Sequence, residues 1–131
     1  MIHVDELDSI ARARLDDARA LLAAGRLDGA TYLCGYAIEL ALKARICRTL
    51  NWSEFPSTGG EFQDYRSFQT HDLEVLLHLS GQDARLRQDH FGIWSSVAGW
   101  RVDLHYNPPG TTQQTGATAM IRATEELLAV L

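Results

Sequence analysis

Between Asp28 and Leu50 runs a stretch that leaves the chain few architectures. Ala30, Leu33, Cys34, Ala37, Ile38, Leu40, Ala41, Leu42, Ala44 and Ile46 fall on every side of a helical wheel. A helix apolar almost all round sits in the middle of a bundle or at a dimer seam. Its small residues, Gly35, Ala37, Ala41 and Ala44, let neighbouring elements approach closely. Glu39, Lys43 and Arg45 interrupt it, so it does not read as a membrane span. Asp28 reads as its N-cap.

The flanking sequence supplies amphipathic partners for this helix. Val4 to Ala24 repeats Leu7, Ile10, Ala11, Ala18, Leu21 and Leu22 at helical spacing, and Gly25 stops it. Gln113 to Val130 places Ala117, Met120, Ile121, Thr124, Leu127 and Leu128 on one face, with Arg122, Glu125 and Glu126 opposite. Asn51 to Gln69 holds Pro56 and Gly59-Gly60 and reads as a loop, partly packed through Phe55, Phe62, Tyr65 and Phe68. Thr70 reads as the cap of a short third helix carrying Leu73, Leu76 and Leu77. A short segment from Asp83 to Gln88 leads to a fourth helix over Phe91 to Leu104, broken by Asn107-Pro108-Pro109-Gly110. No segment of useful length has strand period. The expectation is all-α: a single domain over 1–131, an antiparallel bundle of about four to five helices.

Composition narrows the function classes. The chain has 131 residues, 46% hydrophobic and 22% charged, as a globular domain should. A net charge of −5 argues against a broad phosphate-binding surface, though not against a small basic site. The first twenty residues carry five acids and no apolar core of a signal peptide, so a cytoplasmic location is expected, with no membrane. Cys34 and Cys47 lie 13 positions apart on one helix, roughly 20 Å of rise, too far to bond to each other. Both read as buried small hydrophobes. The histidines are scattered and no CxxC or HxxxH pattern occurs, so neither metal nor cofactor is expected.

Two polar pairs stand out. Glu39 and Lys43 are neighbours at i,i+4 inside the most apolar helix, with Tyr32 and Tyr36 on the same face. They form a solvated stripe, a hydrogen-bonded buried pair, or the wall of a binding pocket; if buried, Glu39 needs a partner. Arg101 and His105 would share a face with Trp94 and Val97 if the fourth helix persists, and Tyr106 follows directly. A histidine can move a proton and an arginine can hold phosphate charge, which is the chemistry of RNA cleavage. The alternative is that Arg101 pairs with an acid and His105 closes the helix end. Arg85 and His90 form a weaker pairing in a polar connection. His71 and His78 read as solvated, and Trp94 and Trp100 as core anchors.

The stretch Gly35-Tyr-Ala-Ile-Glu-Leu-Ala-Leu-Lys-Ala44 resembles the second helix of HEPN-domain proteins. Ala20 to Ala30 resembles the end of their first helix and its turn; His71-Asp-Leu and Trp100 to Pro108 are also similar. The resemblance implies a helical bundle, usually a homodimer, in prokaryotic accessory proteins near nucleotidyltransferases, in toxins, or in RNases. The family's RNases separate their Arg and His by more than the three residues between Arg101 and His105, and often place a polar residue where Val102 stands. The expected function is therefore a non-catalytic interaction module of a toxin–antitoxin or nucleotidyltransferase-associated system. Its expected partners are a second copy and a nucleotidyltransferase-like protein. The alternatives are a metal-independent endoribonuclease using Arg101 and His105, and a nucleotide-binding helper. Tyr36, Glu39, Lys43 and Tyr106 are the candidate binding residues, with RNA or a nucleotide as candidate ligand.

Overall fold

A computed structural model describes residues 1–103 and 108–131. Helix α1 (Val4–Ala23) opens with His3, whose Nδ1 accepts from the Asp5 N–H at 3.1 Å, and carries Asp5 and Glu6 in its first turn. It closes as the glycine signal predicts. Gly25 takes φ +74°, its N–H bonds Leu22 O, and the Arg26 N–H bonds Leu21 O at 2.8 Å.

Helix α2 (Leu27–Leu50) is the pillar. Its buried residues lie on all sides, and among its residues only Arg48, Thr49 and Leu50 are exposed. The apolar wheel is thus explained by the chain's own cover and no longer argues for a dimer seam along α2. Helix α1 lies along it on one side. Helix α6 (Gln114–Val130) lies on another and buries Ala117, Met120, Ile121, Ala123, Thr124 and Leu127. Asn51, in the left-handed region at φ 58°, ends α2.

The segment after α2 is more structured than a loop. Strand β2 (Glu54–Phe55) pairs antiparallel with β1 (Ile2–His3), in register Ile2 with Phe55. Two 3₁₀ turns follow at Glu61–Asp64 and Arg66–Phe68. Trp52 joins the expected aromatics: Trp52, Phe55, Phe62, Tyr65 and Phe68 form one cluster of edge-to-face and tilted rings with centroids 5.1–6.5 Å apart. Two-residue strands carry no period-2 signal, so sequence pattern could not show them.

Helices α3 (Leu73–Leu79), α4 (Asp83–Asp89) and α5 (Phe91–Val97) close the bundle. The all-α expectation holds, with six α-helices among the described residues because Asp83–Asp89 is itself helical. Three boundaries are corrected. Asp72, not Thr70, caps α3: its Oδ1 accepts from the N–H groups of Glu74 and Val75. Arg26 rather than Asp28 stands at the start of α2. Helix α5 stops at Val97, well short of Leu104, because the Trp100 N–H turns back to Val97 O at 3.0 Å and the indole folds onto α2.

No helix among the described residues is long and apolar enough to cross a membrane. Cys34 and Cys47 are both free and buried. Burial pushes the Cys34 thiol up to about 11.

Candidate functional site

Glu39 is almost fully buried, and its carboxylate is spent twice. Lys43 Nζ donates to Oε2 at 3.1 Å, and His71 Nδ1 lies 2.7 Å from Oε1. Lys43 also sits over the Phe55 ring, 5.5 Å from its centroid. Helix geometry sets the first contact, since i,i+4 side chains are neighbours. The strap from Asn51 to Asp72 sets the other two by bringing Phe55 and His71 down onto α2. Of the three sequence readings for this pair, the geometry is that of a hydrogen-bonded interior pair. His71, read as solvated, is exposed, and one of its ring nitrogens still supplies the partner that Glu39 required. His78 faces Asp83 at 3.2 Å.

Tyr36 turns elsewhere. Its hydroxyl meets that of Tyr32 at 3.1 Å, and both rings pack on Trp100 with centroids 5.5 and 5.8 Å away. Tyr32 Oη also donates to Val102 O at 3.0 Å. Trp100 is buried against Gly35, where an added Cβ would stand 1.9 Å from the indole. Trp94 is the second core anchor, with its N–H given to Glu74 at 3.0 Å. The structure therefore gives the candidate binding residues different partners along one face of α2: Glu39 and Lys43 meet the strap, and Tyr36, nearer the helix start, meets Tyr32 and Trp100.

The connector between α5 and α6 carries the other candidates. Arg101 lies beyond the end of α5. Its side chain is 76% exposed and its Nε is 3.6 Å from Asp103 Oδ1. It does not point inward with Trp94 and Val97, because the helix that would have aimed it there has ended. His105 and Tyr106 lie outside the described residues. Arg85, of the second pairing, gives its guanidinium to Gln82 Oε1 and Val130 O, both at 2.7 Å.

Asp28 is what the sequence misassigned. Its carboxylate accepts from the N–H of Gly110 at 2.6 Å and of Thr112 at 2.9 Å. Those bonds hold its pKa below the ordinary carboxylate value, with the Gly110 N–H the largest cause. Gly110 takes φ +85°, which a side chain would strain. With the Tyr32 bond to Val102, the connector is tied to the start of α2 on both sides of 104–107. Leu21, Arg26, Thr31 and Tyr32 on one side and Pro109 to Thr112 on the other bound an open groove of about 660 Å³. A second groove, of about 600 Å³, runs between α5 and α6. Neither contains Glu39 or Lys43. Among the described residues no group of three or more His, Cys, Asp or Glu side chains is placed to hold a metal.

Compared with protein families, residues 4–59 match the model of the HEPN domain, which spans α1, α2 and the first part of the strap. No curated protein matches the chain, and no solved structure does.

Proposed function

We propose, taking the HEPN domain of residues 4–59 as premise, that this chain is a non-catalytic interaction module of the cytoplasm. It works by presenting its helical surface to protein partners, a second copy and a nucleotidyltransferase-like protein in a toxin–antitoxin or related pair. The observation that carries the reading is Arg101. A guanidinium that stabilises a cleaving phosphodiester must be pre-oriented in a site that excludes water. Arg101 is exposed, lies outside any helix, and already faces the Asp103 carboxylate, which would repel phosphate. Glu39 and Lys43 have the burial and the partners of a structural cluster, which supports the same reading over a nucleotide pocket.

The test is metal-free incubation of the purified chain with total RNA and unstructured oligonucleotides, beside Arg101→Ala and His105→Ala. The expected result is no cleavage above buffer for any of the three. Robust wild-type cleavage that disappears in both variants would overturn the reading in favour of an endoribonuclease.

A further inference from the structure

We infer that the cleft between the start of α2 and the connector is a docking site for the free C-terminus of a partner polypeptide. The inference rests on the interaction-module reading and names the chemistry that a protein partner presents to it.

The cleft has two lobes. The groove of about 660 Å³ described above and a hollow of about 440 Å³, which reaches Trp100 and the start of α6, share Thr31, Thr111 and Thr112 as walls. The lobes meet at those residues. Either alone is of ligand size, so together they suit an extended occupant.

Polar atoms without partners mark the inner wall. Among the described residues three buried side-chain atoms have no hydrogen-bond partner, and two of them, Thr31 Oγ1 and Trp100 Nε1, belong to residues lining this cleft. Comparable groups elsewhere are satisfied. Thr118 and Thr124 give their hydroxyls to the carbonyl one turn back, at 2.9 and 2.7 Å, and Trp94 gives its N–H to Glu74. A buried polar atom left unpaired costs free energy that a bound acceptor recovers. The indole of Trp100 rests on Gly35, one turn after Thr31, so both atoms sit on one strip of α2. Arg26 lines the outer lobe, is exposed, and makes no ion pair among the described residues.

These groups choose the occupant. A guanidinium and an indole N–H only donate, and a hydroxyl can donate. The occupant therefore carries one anionic end for Arg26 and acceptors further along. A polypeptide C-terminus has both: a carboxylate that pairs with a guanidinium through two bonds, and main-chain carbonyls behind it. Leu21, Leu27 and Pro109 give its last side chain an apolar bed. Asp28 lies on the same wall, bonded to the N–H groups of Gly110 and Thr112. Its charge offsets that of Arg26, so a doubly charged phosphate is disfavoured against a carboxylate. Neither unpaired atom is open to solvent in the free chain, so the connector eases outward from α2 as the peptide enters.

The test titrates the ¹⁵N-labelled chain with a pool of acetylated hexapeptides, random except for a final leucine, and reads the indole N–H resonances. Trp100 is assigned by the resonance lost in Trp100→Phe. The free-acid pool should shift Trp100 saturably and leave Trp94, held by Glu74, in place. The same pool amidated at its C-terminus should bind at least about tenfold more weakly, because the charge-assisted bond is gone. Arg26→Gln, at an exposed position, should weaken the free acid by a similar factor with an unchanged urea unfolding curve. Octanoate and inorganic phosphate should also bind more weakly than the free-acid pool. A still Trp100 resonance, equal binding of acid and amide, or an Arg26→Gln variant that binds like wild type would overturn the inference. So would octanoate or phosphate binding as tightly as the peptides, which would make the occupant a small anion. Each of these results refutes the cleft and leaves the module reading standing. RNA cleavage by a chain that prefers the free acid refutes the module reading and leaves the cleft.

Discussion

Glu39 and Arg101 are charged residues of similar promise in the sequence and opposite circumstance in the fold. Glu39 has its side chain 4% exposed, with Lys43 at one carboxylate oxygen and the His71 ring nitrogen at the other. Arg101 has its side chain 76% exposed, with one acid 3.6 Å away. Burial makes a charge expensive unless its partners are fixed, so the Glu39 cluster holds the strap against α2. Exposure makes a charge cheap and its pairing nearly worthless to stability, so Arg101 is free to meet a partner but not prepared to stabilise a transition state. A polar residue in an apolar helix is thus a mark of architecture here.

The largest expected effect breaks the interior half of this comparison. Glu39→Ala leaves the partly buried Lys43 with no carboxylate and should cost about 3 kcal/mol, read by urea denaturation. A loss under about 1 kcal/mol would mean that the cluster is solvated. Next, Gly35→Ala drives a methyl group into Trp100, where the added Cβ would lie 1.9 Å from the ring. Overpacking of this kind costs about 1–3 kcal/mol, with a change in tryptophan fluorescence as the indole shifts. An unchanged melt and spectrum would show that Trp100 does not rest on α2.

Asp28 sharpens the connector half through pH. Its pKa is lowered in the fold from the ordinary value of 3.8, so the stabilisation it brings is complete above that value. It is lost as pH falls through the lower folded value. Melting temperature against pH should therefore fall more steeply in that acid window for wild type than for Asp28→Asn. Parallel curves would mean that Gly110 and Thr112 do not hold this carboxylate. The smallest effect belongs to Arg101→Ala, expected within about 0.5 kcal/mol of wild type.

What could be read in the sequence was whatever is local along the chain. Helices α1, α2 and α6 announce themselves by periodicity, and Gly25 by its position after the last apolar turn. The Glu39–Lys43 pair is visible because its members are one turn apart. His71 is 32 residues from Glu39, and Gly110 is 82 from Asp28, so no spacing rule connects them. Arg101 was misplaced for a related reason. The apolar pattern of Trp94, Val97 and Ala98 continues to Trp100, but tertiary packing of Trp100 on Gly35 overrides it and ends the helix. The capping of α3 moved from Thr70 to Asp72 because both are good caps and only the backbone geometry chooses between them.

The most direct test of the account asks whether Arg101 holds phosphate. In a ¹⁵N-labelled chain, the Arg101 Nε–Hε resonance, assigned by its loss in Arg101→Lys, is followed while an unstructured RNA oligonucleotide is titrated in without metal. The account predicts that the resonance stays in place and exchanges rapidly with water, as an exposed guanidinium facing only Asp103 should. A saturable shift with slowed exchange, abolished by His105→Ala, would contradict it and place a phosphodiester between those two residues.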